Sequence, residues 1–109
     1  MSVLDNLRTA KSAIALQENW TQRVMRDSHG RMCALGAVAF ARQQLHLAPG
    51  SAEMNEWPEV RLLAKHTPSI VAFPPVRKVY RLNDCGDSAH GRVMKMFDDA
   101  IAEAESLNI

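Results

Sequence analysis

The sequence predicts an α+β domain that is mainly helical, with four or so helices and a small β-hairpin near residues 20–33. Three observations predict it. Apolar side chains recur at helical spacing near both ends of the chain, at Val3, Leu7, Ala10 and Ile14 and again at Val93, Phe97, Ala100, Ile101, Ala104 and Leu107. A loose alternation over residues 20–26 runs into Asp27-Ser28-His29-Gly30, where Asp and Ser initiate a turn and glycine accepts positive φ. An apolar run then covers residues 32–41, about half of the roughly 20 residues that a membrane-spanning helix needs. The 109 residues are expected to form one domain, 1–109, with a single core.

Each element follows from its local chemistry. Residues 3–16 carry the first helical stripe, with Ser2 or Asp5 available near its start. Residues 31–33 are the return strand of the expected hairpin. Residues 34–45 form a central helix in which Ala34, Gly36, Ala37, Ala39 and Ala41 allow close approach of neighbours, while Val38 and Phe40 supply bulk. Gly36 inside it costs roughly 1 kcal/mol against alanine, which marks a tight crossing. Pro49-Gly50 sits in a loop, and Trp57-Pro58 restarts a helix with proline at its first position. Thr67-Pro68 interrupts that helix. Pro74-Pro75 favours extension, and residues 76–82 read as either helical or extended. The last helix covers residues 88–107, with Asp87 or Ser88 as its N-cap.

A tryptophan at Trp20, the Asp27 to Gly30 turn, the Cys33-Ala34-Leu35-Gly36-Ala37 helix start and the later Asn83-Asp84 turn come in a familiar order. The chain resembles a family of small domains of unknown function found in actinobacteria and bacteriophages. Leu82 stands where many members carry a second tryptophan. The resemblance covers most of the chain apart from residues 49–76. It implies a shared scaffold, built on Trp20, Gly30, Cys33, Gly36, Asn83 and Asp84, and a phage-associated origin more than any particular chemistry.

The side chains themselves exclude several functions. A net charge of +1 supplies no global attraction for nucleic acid, so direct nucleic-acid binding is disfavoured. Cys33 at a helix start suggests a thiolate nucleophile, yet its apolar neighbours suggest burial and no histidine lies in a matching motif. Asp98 and Asp99 are adjacent on a helix and diverge by about 100°, so they cannot face each other as a carboxylate pair. Cys85, Asp87 and His90 match no zinc spacing. Asn83 and Asp84 are expected to accept backbone N–H groups around their turn and to hold the hairpin or the central helix.

No catalytic residue, cofactor or metal is therefore assigned, and the chain is expected not to be an enzyme. The leading expectation is a phage accessory protein in the host bacterial cytoplasm that binds and modulates a host or defence protein, with a nuclease or nucleoprotein among the candidates. Arg77, Lys78, Arg81, Arg92 and Phe73 would form its binding surface. No membrane association is expected. A central helix so poor in bulky side chains also leaves room for a homodimer. The alternative is a small-molecule or nucleotide-signal binder, with Asn83, Asp84, Ser88 and Arg92 around a ligand at a helix start. A cysteine hydrolase through Cys33 is the third reading.

Overall fold

Five α-helices account for the regular structure of the described residues, which are 2–46, 52–68 and 71–109 of a computed structural model. They are α1 (Val3–Ile14), α2 (Ala34–Ala41), α3 (Pro58–Lys65), α4 (Pro75–Asn83) and α5 (Ala89–Leu107), with short 3-10 turns at Gln17–Asn19 and Ala52–Glu56. The Pro49-Gly50 loop and residues 69–70, between the Thr67-Pro68 interruption and Phe73, lie outside the described residues. α1 packs on α2 and α5, and α3 packs on α4 and α5. The core between them is lined by Leu7, Ile14, Val38, Leu63, Val79 and Phe97.

The α+β expectation is overturned, because no strand or sheet forms among the described residues. Only two isolated bridges occur in the region read as a hairpin, a parallel one between Trp20 and Met32 and an antiparallel one between Arg26 and Met32. Both converge on the same residue, so no ladder can propagate. The reason is local. Arg23 takes φ of 71°, which breaks the pleat, and Asp27 turns its carboxylate inward to accept the Arg31 and His29 amides. Hydrogen-bonding capacity that a strand would spend on a partner strand goes instead to side chains and to single carbonyls.

Each helix has an identifiable entrance. Ser2 Oγ accepts the Asp5 amide at the start of α1. Proline occupies the first turn of both α3 and α4, where its missing N–H is no loss. The undecided residues 76–82 are thus helical, and α4 raises the helix number to five. Asn55 Oδ1, from the 3-10 turn, accepts the Val76 amide at 2.9 Å and so caps α4 from outside. Ser88 is the N-cap residue of α5 but makes no side-chain capping bond.

α2 is shorter than residues 34–45, ending at Ala41 with Arg42 as its C-cap before Gln43 turns to φ of 61°. All its residues are buried except Phe40, which is 45% exposed and does not supply core bulk. A Cβ on Gly36 would lie 2.0 Å from the Met25 carbonyl oxygen, so the loop backbone rests directly on the helix. At the far end, Arg42 lies 4.4 Å above the Trp57 ring and donates to Glu59 Oε1, while Asn6 donates to Glu59 Oε2. Glu59 is only 1% exposed, and this polar triad joins α1, the end of α2 and the start of α3. No described helix is long and apolar enough to cross a membrane.

The close approach at Gly36 makes a direct test. Gly36→Ala should lose roughly 1–3 kcal/mol or more in chemical denaturation, because backbone must move to admit the methyl group. Gly91→Ala, where the added carbon meets nothing, should instead gain about 0.5–1 kcal/mol through helix propensity.

Candidate functional site

Asn83, the last residue of α4, is fully buried and its side-chain amide uses its full capacity. Oδ1 accepts the Trp20 indole N–H at 2.8 Å and the Ala34 amide at 3.0 Å. Nδ2 donates to the Thr21 carbonyl at 3.1 Å and to Asp84 Oδ1 at 2.9 Å. One side chain thereby joins the end of α4, the loop after α1 and the first turn of α2. Ala34 N–H is one of the donors that a helix start leaves without an intrahelical partner. Gly36 N–H is another, and Cys33 Sγ accepts it at 3.4 Å.

Neighbouring groups extend the joint. Asp84 Oδ1 also accepts the Arg23 amide at 2.9 Å. That bond holds Arg23 in a left-handed conformation costing roughly 1–2 kcal/mol for a side chain with a Cβ. Gln22 Nε2 donates to the Asn83 and Gly86 carbonyls. The His90 ring sits 5.3 Å from the Trp20 ring, and its Nε2 donates to the Ile14 carbonyl. The turn residues Trp20, Cys33, Gly36, Asn83 and Asp84 therefore lie in one connected region, while Gly30 forms the outer turn at φ of 80°.

Beyond Asp84 this joint opens into a cleft of about 520 Å³ between the 23–25 loop, the start of α2 and one face of α4. Its apolar surface comes from Val24, Met25, Leu35 and Val76, and its polar surface from Arg23, Asn55, Arg77, Tyr80 and Asp84. Helical spacing places the residues that α4 and its C-cap contribute. Residues 76, 80 and 84 fall four apart and share a face, while Arg77 and Arg81 share the next, beside Phe73 just before the helix start. On that outer face the Phe73 ring carries the Arg77 guanidinium at 4.3 Å and the Arg81 guanidinium at 4.8 Å.

Cys33 also borders the cleft, but it is 5% exposed and burial pushes its thiol up. The nearby Asp84 charge acts in the same direction, and hydrogen bonds from the Gly36 and Leu35 amides only partly oppose them. Among the described residues no hydrogen bond joins Cys33 to a histidine: His66 meets Glu103 and His90 meets Ile14. No group of acidic, cysteine and histidine side chains suited to a metal ion occurs among the described residues.

The structure sorts the surface residues differently from the sequence. Phe73, Arg77 and Arg81 come together, with Lys78 on the same helix. Arg92 does not join them; it donates to the Cys85 carbonyl and borders a separate groove with His66 and Lys95. Asp84 and Arg92 border different spaces, the cleft and that groove, while the Asn83 amide is wholly occupied and Ser88 is exposed. Sequence reasoning missed Arg23, Met25, Val76 and Tyr80 as cleft residues. The 76-80-84 spacing was the available signal, legible once α4 is a helix.

The family match covers residues 1–103 and bears the description of a family of unknown function, DUF6197. The chain belongs to DUF6197. Membership spans the joint and the cleft together, as well as all but the last residues of α5. No curated protein and no solved structure matches the chain.

Two measurements check the joint. Asn83→Ala leaves the buried Trp20 and Ala34 donors without an acceptor and should cost roughly 3 kcal/mol of stability in denaturant titrations. Iodoacetamide should label the exposed Cys85 of the native protein and leave Cys33 untouched until the chain is unfolded. Rapid native labelling at Cys33 would revive the nucleophile reading.

Proposed function

We propose that this DUF6197 protein is a non-enzymatic binding module that engages a partner protein through α4 and the adjoining cleft. The observation that carries the reading is the stacking of Arg77 and Arg81 on Phe73 at the edge of that cleft. Aromatic and arginine side chains dominate the energetics of protein interfaces, and guanidinium groups held against a ring lose less freedom on binding. The inert environment of Cys33 weighs against hydrolysis through that thiol. The resemblance to phage and actinobacterial domains supports a host or defence protein as the partner and the bacterial cytoplasm as the place of action. On this reading the protein modulates its partner by occupying it, without chemistry of its own.

A small-ligand reading is favoured by one observation, the cleft volume, which lies within the roughly 300–1,000 Å³ range of ligand pockets. A thermal-shift screen against nucleotides addresses it, since a bound ligand raises the melting temperature.

Affinity capture from an actinobacterial lysate tests the main reading. Wild-type protein should retain a partner that the Arg77→Ala, Lys78→Ala, Arg81→Ala triple variant releases, whereas Lys65→Ala, on α3, should retain it. Equal capture by wild type and the triple variant would remove α4 as the binding surface.

A further inference from the structure

Among the described residues, basic side chains without a carboxylate partner include Arg26, Arg61 and Arg92, each apart from the others, but it is around the cleft that they gather. On α1, α3 and α5 and at the end of α2, Arg8, Lys11, Lys65, Lys95 and Arg42 each end on a carboxylate. Arg77, Lys78 and Arg81 on α4, and Arg23 across the cleft, meet no carboxylate within ion-pair distance among the described residues. α4 itself contains no acidic residue. The one carboxylate bordering the cleft, Asp84, already accepts two N–H groups through Oδ1. Positive charge thus exceeds negative around the cleft, with Arg23 and Arg77 set against Asp84 alone on the two sides of an apolar floor formed by Met25, Leu35 and Val76.

We propose that the cleft accepts an acidic segment of the partner protein, one bulky apolar side chain entering over that floor while flanking carboxylates meet Arg23 and Arg77. The inference rests on the partner-binding reading and adds the partner's chemistry. Charge complementarity selects an anionic occupant. Extent selects a chain over a compact ligand, because Arg77 belongs both to the cleft and to the Phe73 ladder, which continues one turn further to Arg81. Carboxylates are also favoured over a phosphate backbone. The turn that supplies Asn55 carries exposed Glu53 and Glu56, so the cationic stretch is short: a phosphate backbone brings a charge at every nucleotide, whereas a peptide can confine its carboxylates to the arginines.

The test is selection of a displayed random-peptide library on the wild-type protein, with binders to Arg77→Glu subtracted. Enriched peptides should carry Asp or Glu on either side of a Phe, Leu, Trp or Met. Synthesised and labelled, they should bind about tenfold or more weakly to Arg77→Glu and Arg23→Glu, and unchanged to Lys65→Glu, with affinity falling as salt rises. Replacing their acidic residues by Asn and Gln, with the wild-type protein retained, should cause a similar loss. The proposal is overturned if nothing is enriched, if enriched peptides lack acidic residues, or if a single-stranded oligonucleotide displaces them. Should that happen while the α4 triple variant still releases the captured partner, the cleft chemistry falls and the partner-binding surface stands. Should selected peptides behave as expected while the triple variant keeps the partner, the α4 surface reading falls instead.

Discussion

Four hydrogen bonds from one buried amide hold this fold in register. Asn83 ends α4 with no exposure to solvent, and its side chain reaches the indole of Trp20, the first amide of α2, the Thr21 carbonyl and Asp84. An intramolecular hydrogen bond contributes only about 0.5–1.5 kcal/mol net, but a buried donor deprived of its acceptor costs roughly 1–3 kcal/mol. The amide therefore acts less by adding stability than by excluding other arrangements. Any shift of the 20–33 loop, α2 or α4 relative to the other two strands a polar group in the core.

That constraint explains the neighbouring geometry. With Ala34 fixed beneath Asn83, α2 meets the loop so closely that only a glycine fits opposite Met25. With Arg23 held by Asp84 in a left-handed turn, the loop bends away from the helix start and leaves the cleft between Met25, Leu35 and Val76. The site is thus a by-product of the joint: the residues that lock the helices also set the shape and charge of the space beside them. Cys33 belongs to the lock, through its capping sulfur, and its burial keeps the thiol protonated.

Much of this was legible in the residues, and the failures have physical causes. The stripes of α1 and α5 follow a 3.6-residue period because each helix has one buried face. Turn chemistry singles out Cys33, Gly36, Asn83 and Asp84, whose side chains or backbone meet at the joint. The expected hairpin fails because alternation over residues 20–26 reflects a loop fitted against a helix start, with Trp20 and Met25 buried and Arg23 strained between them. α4 is ambiguous in the sequence because two prolines read equally as an extended segment or a helix entrance; the Asn55 cap that decides between them lies 21 residues away. Glu59 gave no signal at all, since a carboxylate in a helical first turn is ordinarily solvated. Its burial depends on Arg42 and Asn6, which only the tertiary structure brings to it. The paired stacking on Phe73 has the same kind of cause: helical spacing puts Arg77 and Arg81 one turn apart, and the chain before Pro74 brings the ring against both.

The dependence of the fold on Asn83 is tested most directly by native-state hydrogen exchange of the two donors it receives. If the amide locks three segments as one unit, the Trp20 indole N–H and the Ala34 amide should exchange only through global unfolding. Their opening free energies would then match each other and the value from denaturant titration, and follow the same denaturant dependence. Exchange of either donor through local opening, at the rate of an exposed loop amide such as Ser28, would contradict the account.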